Sequence, residues 1–126
     1  MRDILFRGKR TDNGEWVYGL LCRVGDTYAN IRRMDTAVLY SVLTNTIGQF
    51  TGLTDKNGRK IFEGDIFTDG VLTWQVSFKD GAFGACFGGE FSPIVLLRGI
   101  VDDEVIGNIH DNPELFGNSE QLEVTT

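Results

Sequence analysis

The chain has 126 residues, 41% hydrophobic and 24% charged, with sixteen glycines, two prolines and a formal net charge of −6. This is enough for one domain whose core needs neither disulfides nor a structural metal. The acidic balance opposes general nucleic-acid binding, which draws its affinity from phosphate neutralisation, and the apolar runs fall far short of the ~20 residues of a membrane helix.

Met1-Arg2-Asp3 begins no signal peptide, so the expectation is a soluble cytoplasmic protein with no membrane contact. Many glycines, nine phenylalanines and short apolar runs without a sustained 3.6-residue period point to a mainly β (α+β) chain built of hairpins, with one or two short helices.

Ile4 to Gly8 reads as a first strand, and Thr11-Asp12-Asn13-Gly14 ends in Asn-Gly, the strongest short hairpin signal. Glu15 to Cys22 returns as the second strand. Its Trp16 and Tyr18 share a face by the two-residue period, which suits core or interface packing and, as the alternative, a platform on which bases stack. Val24 to Thr27 is a turn, Tyr28 to Ile31 a third strand, and Arg32 and Arg33, adjacent in sequence, point to opposite faces of an extended chain. Ala37 to Leu43 favours a strand by propensity and is broken by Thr44-Asn45-Thr46.

The stretch Ile47 to Asp69 carries the densest turn chemistry. Gly52, Asn57 and Gly58 tolerate a reversing loop, and Glu63-Gly64-Asp65 turns between the apolar pairs Ile61-Phe62 and Ile66-Phe67, as suits a tight turn into a barrel strand. Asp55, Asn57, Glu63 and Asp65 are read as turn formers. A calcium loop fails on spacing, because Asp55-Lys56-Asn57-Gly58 places glycine fourth where the EF-hand loop needs it sixth.

Val71 to Phe78 alternates, with Leu72, Trp74, Val76 and Phe78 predicted on one buried face, and Lys79-Asp80-Gly81 turns it into Ala82 to Phe87. Gly88-Gly89 ends that hairpin; no glycine-rich phosphate motif leads into a helix. Ser92-Pro93 caps a short predicted helix over 94–98, Asp102-Asp103-Glu104 reads as a solvated turn, and Val105 to His110 is the last strand. Asn112 to Gly117 is a one-turn helix, and 118–126 a flexible tail.

No catalytic, cofactor-binding or metal-binding constellation stands out. His110, the single histidine, is read as a partly exposed strand-end residue, and an enzyme would need it to converge with Glu63 or Asp65. Cys22 and Cys86 form no CxxC pair and read as reduced core thiols. Charge is uneven: Met1 to Arg33 holds seven Lys or Arg against four acids, +3, and the remainder five against fourteen, −9. Arg7, Lys9, Arg10, Arg32 and Arg33, with Trp16 and Tyr18, are therefore the candidate contacts for a partner or, alternatively, for nucleic acid.

The segments Ile4-Leu5-Phe6-Arg7-Gly8-Lys9 with Gly14 to Gly19, Ile47 to Gly58 through Glu63-Gly64-Asp65-Ile66, and Val105 to Leu115 occur in an order that resembles the YopX family of bacteriophage and prophage proteins. The resemblance implies a single domain over 1–126, or two intertwined subdomains at 1–46 and 47–117, with an SH3-like barrel component and a bacterial host carrying the phage. It brings no catalytic residues. Around positions 110 and 111 the family often has a tyrosine or glutamate-like residue, and His110-Asp111 here weighs further against catalysis. The expected role is a non-enzymatic accessory protein without cofactor, homo-oligomeric, contacting a host or phage protein; the alternative is nucleic-acid binding through the basic N-terminal hairpin.

Overall fold

Asn13-Gly14 closes a hairpin between β1 (Phe6–Lys9) and β2 (Trp16–Val24) in this computed structural model, which describes residues 4–68, 70, 72–87, 90–92 and 103–115. Gly14 takes φ 74°, a region glycine enters without steric cost, and the Arg10 N–H donates to the Glu15 carbonyl at 2.9 Å. The chain divides into units at residues 1–50 and 51–126, a boundary that falls within one strand, β5 (Gly48–Thr54).

In the first unit, β3 (Tyr28–Arg32) and β4 (Leu39–Leu43) follow as antiparallel neighbours, giving the order β4-β3-β2-β1-β5. Alternation turns Val17, Ala29, Ile31 and Val42 to one side, where Phe6, Leu21, Tyr40 and Ile47 pack on them. Burial of Val17, Ile31 and Val42 contributes about 2 kcal/mol each. Gly8, opposite Val17, lets the sheet curl: a Cβ there would stand 3.0 Å from the Val42 side chain. The curl brings the end of β1 to β4 through an Arg10–Val42 bridge, with the Thr11 N–H donating to the Ser41 carbonyl at 3.0 Å. Among the described strands closure goes no further than this bridge, and both sheets are open. Thr44–Thr46 forms a 3-10 turn whose Thr46 Oγ1 accepts the Lys9 N–H at 2.9 Å.

In the second unit the rest of β5 meets β6 (Lys60–Phe62), and the Thr51 hydroxyl donates to the Ile61 carbonyl at 2.9 Å. A separate sheet orders β7 (Asp65–Thr68), β8 (Thr73–Lys79), β9 (Ala82–Phe87), β10 (Glu90–Ser92) and β11 (Glu104–Asn108) as β10-β9-β8-β7-β11. Ile61, Phe67, Val76, Ala85 and Val105 make its core, with Leu53, Trp74 and Phe83 against it. The β8–β9 turn holds Asp80 at φ 53° and Gly81 at φ 81°, the paired left-handed conformation of a type I′ hairpin.

The mainly β expectation holds, and five details differ. Leu72 and Phe78 are exposed, because the core beneath β8 extends only under Trp74 and Val76; Phe78 instead meets Phe83 edge-on at 4.8 Å. Cys22 is exposed rather than a core thiol, because Val17, Gly19 and Leu21 take the inward positions of β2 and alternation puts Cys22 outward with Tyr18 and Leu20; Cys86 is half-buried, and both are free. Asp103 is buried rather than solvated, and its carbonyl accepts the Lys56 N–H at 3.2 Å. Asp65 belongs to β7 rather than to the turn, and β11 ends at Asn108, leaving His110 in the following turn. Residues 113–115 are helical; the expected helix over 94–98, Gly88-Gly89, Asp102 and the 118–126 tail lie outside the described residues.

Candidate functional site

Two surface turns of the first unit repeat one device. In each, an arginine leaving a strand folds its guanidinium onto the aspartate two residues later. Arg10 donates from Nε to Asp12 Oδ1 at 2.9 Å and from Nη2 to Oδ2 at 2.6 Å. Arg33 donates to Asp35 in the same forked way, at 3.0 and 2.6 Å. Arg-x-Asp spacing in a turn suits this because the planar fork matches both carboxylate oxygens. The Asp12 hydrogen bond raises the Arg10 pKa and the Arg10 hydrogen bond lowers that of Asp12; Asp35 and Arg33 do the same to one another. Both guanidinium groups are thus already engaged at the surface.

Between these turns lies a cleft of about 410 Å³, lined by Arg10, Glu15, Trp16, Tyr18, Arg33 and Tyr40 together with Leu5, Val17, Met34 and Asp35. The Arg10 guanidinium stands 4.6 Å over the Tyr40 ring, so the curl that joins β1 to β4 also sets one wall of the cleft. Trp16 is braced from β1: Lys9, its cross-strand partner, lies 5.5 Å from the ring, and Arg7 lies 4.6 Å from it. Tyr18, one period further along β2, is 46% exposed. Glu15 accepts from Asn13 Nδ2 at 3.1 Å, outside either arginine fork.

The seven candidate contact residues separate accordingly. Arg10, Arg33, Trp16 and Tyr18 meet in the cleft. Lys9 supports Trp16, and Arg7 does so from a buried position, only 3% exposed. Arg32 does not line the cleft and points Nε toward the Ala37 carbonyl at 3.4 Å. Glu15, Asp35, Met34 and Tyr40 were not legible as site residues; the repeated Arg-x-Asp of Arg10-Thr11-Asp12 and Arg33-Met34-Asp35 was the available signal.

The other carboxylates serve the backbone of the second unit. Asp55 Oδ1 accepts the N–H groups of Asn57 and Arg59, each at 2.9 Å, and Asp65 Oδ2 accepts that of Phe62 at 2.8 Å from a fully buried position. Glu63 and Asp65 flank Gly64, whose carbonyl accepts the Ile109 N–H at 2.9 Å, so their turn neighbours that of His110. Among the described residues no three His, Cys, Asp or Glu side chains are arranged to hold a metal ion, and no helix is long and apolar enough to cross a membrane.

Fold and site together define a mainly β protein with an aromatic surface cleft walled by self-paired arginines. The YopX protein family model matches residues 5–117, and the chain belongs to the YopX family. A crystal structure of protein EF1440 from Enterococcus faecalis is similar at 25% identity, with a TM-score of 0.57 over 92% of this chain and 99% of that one. Comparison with curated proteins gives no match.

Proposed function

We propose that the protein is a non-enzymatic interaction module of a phage or prophage, working in the bacterial cytoplasm and binding a segment of another protein in the cleft of its first unit. The observation that carries this is the state of the cleft: Tyr18 is exposed and Trp16 and Tyr40 half-buried along its wall, while the Nε–Nη2 edges of both guanidinium groups are occupied by Asp12 and Asp35. Those carboxylates take the Nε–Nη2 edge of each guanidinium and neutralise its charge, which weakens a phosphate contact, whereas a protein segment can use the rings as they stand. Eight of the eleven exposed large hydrophobic residues described, Tyr18, Tyr28, Met34 and Leu39 among them, also belong to this unit, and they favour protein contact, including self-association.

The test compares the full chain with Tyr18→Ala as baits for host and phage proteins, alongside measurement of molar mass in solution. A partner retained by the parent chain and lost with Tyr18→Ala supports the module. A monomer whose captures are the same with both baits overturns it. Nucleic-acid binding through the same hairpin is the second reading; what supports it is the meeting of Arg10 and Arg33 with Trp16 and Tyr18. Anisotropy with labelled single- and double-stranded DNA and RNA at two salt concentrations decides it, and absence of salt-sensitive binding removes it.

A further inference from the structure

Two Asn-Gly pairs lie on exposed turns, Asn13-Gly14 between β1 and β2 and Asn57-Gly58 between β5 and β6. Such a pair sets an electrophile beside an unshielded nucleophile, because glycine has no side chain to keep its backbone nitrogen from the Asn amide carbon. The reaction balances with water alone. The Gly N–H gives its proton to water and its nitrogen bonds to Cγ; the Cγ–Nδ2 bond breaks, and the amide nitrogen takes up a proton from water and leaves as ammonia. A five-membered succinimide results. Water opens it at one carbonyl or the other, giving aspartate or, with the chain rerouted through Cγ, isoaspartate.

The two pairs differ in how they are held. Gly14 and Gly58 each donate the N–H to a carbonyl, that of Arg10 or Asp55, at 3.0 Å, so the nucleophiles are restrained alike. The electrophiles are not. Asn13 is tied at both ends of its amide, with Oδ1 accepting the Glu15 N–H at 2.9 Å and Nδ2 donating to Glu15 Oε1 at 3.1 Å, and a change of rotamer there costs both bonds. Among the described residues the Asn57 amide has one partner, Glu104 Oε2 at 3.5 Å from Nδ2, longer than an ordinary hydrogen bond. A Cβ at Gly58 would meet nothing within 4 Å, so space around the nucleophile is open. Charge separates the pairs further. At the first, Arg10 offsets Asp12 and leaves the Glu15 carboxylate to oppose the anion that must form on the Gly14 nitrogen; at the second, Lys56 and Arg59 offset Asp55 and Glu104.

We infer that Asn57-Gly58 is a site of spontaneous deamidation and backbone isomerisation, and that isoaspartate there releases the clasp made by Asp55. Asp55 Oδ1 accepts the N–H groups of both Asn57 and Arg59, and Oδ2 accepts that of Val105. The extra backbone methylene of isoaspartate falls between the two N–H groups that share Oδ1, so they no longer meet it together. Either product also adds a carboxylate beside Glu104 in place of the Nδ2 donor.

To test this, the full-length chain is aged in mildly alkaline buffer and sampled over days. Peptide mass spectrometry with electron-transfer fragmentation reads the gain of one dalton at each asparagine and separates isoaspartate from aspartate; hydrogen exchange reads the Val105 N–H. The expected result is conversion at Asn57 at least fivefold faster than at Asn13, and exchange at Val105 at least tenfold faster in the aged chain. Asn57→Gln, whose longer side chain closes a six-membered ring more slowly, should age without loss of Val105 protection. Unaged Asn57→Asp, which carries the charge without the methylene, should keep most of it. Equal or faster conversion at Asn13, or none at Asn57, overturns the site. Conversion at Asn57 that leaves Val105 protected overturns the release.

Discussion

Asp55 Oδ2 accepts a hydrogen bond from the Val105 N–H at 3.1 Å, joining residues fifty positions apart. With Oδ1 held by Asn57 and Arg59, one carboxylate fixes the β5–β6 turn and the start of β11 together. Burial pushes the Asp55 carboxyl up, but the backbone donors Val105, Arg59 and Asn57 outweigh it and hold its pKa below the ordinary value. Asp55→Ala is expected to cost about 3 kcal/mol in denaturant unfolding, because three N–H groups lose an ionised acceptor and that of Val105 stays buried. Since the folded-state pKa is the depressed one, this stabilisation is complete above the ordinary carboxylate value and is lost as pH falls through the folded value. The parent and Asp55→Ala unfolding curves therefore converge in acid; a constant gap down to pH 2 would count against the assignment.

Across the β2–β3 pair Leu20 stands opposite Arg32, and a Cβ on the neighbouring Gly19 would overlap the Arg32 carbonyl oxygen. Backbone cannot swing aside as a side chain does, so Gly19→Ala must part the two strands. Gly8→Ala meets only the Val42 and Ile31 side chains, at 3.0 and 3.2 Å. Thermal unfolding should place Gly19→Ala below Gly8→Ala, with a loss of about 2 kcal/mol or more for the former.

Gly81 sits at φ 81° in the type I′ turn, with nothing near its absent side chain. The cost of Gly81→Ala is then purely conformational, about 1 kcal/mol. Because the site is open, Gly81→Asn should cost less than Gly81→Ala. Equal values in urea melts would contradict a purely backbone origin.

The double variant Asp12→Asn, Asp35→Asn opens both arginine forks without altering the rings. The parent chain is expected to show no salt-sensitive binding to labelled single-stranded DNA, and the double variant to gain such binding at low salt and lose it as salt rises. Binding by the parent of equal strength would mean that the aspartates do not close the site.

Cys22 is exposed and Cys86 half-buried. In the folded protein iodoacetamide should modify Cys22 first, with both alkylated at similar rates in denaturant; intact and peptide mass spectrometry over time gives the order.

The sequence by itself determined the elements. Asn13-Gly14, Asp80-Gly81 and the glycines of the central stretch carry local turn chemistry that any environment reads in the same way, but which face of β2 is inward was not legible: the Trp16-Tyr18 face suited core or interface packing, and it is Val17 that the structure buries. It also brought Arg10, Trp16, Tyr18 and Arg33 forward as contacts. Only the tertiary structure decided which of these meet. A side chain's partner across the sheet depends on register and curl, which put Arg7 beneath Trp16, turned Arg32 away and carried Tyr40 under Arg10. The same holds for Cys22, which shares the outward face of β2 with Tyr18 and Leu20, and for Asp55, whose third donor comes from Val105. Turns are specified over four residues, whereas pairing across strands is settled by the burial of many residues at once.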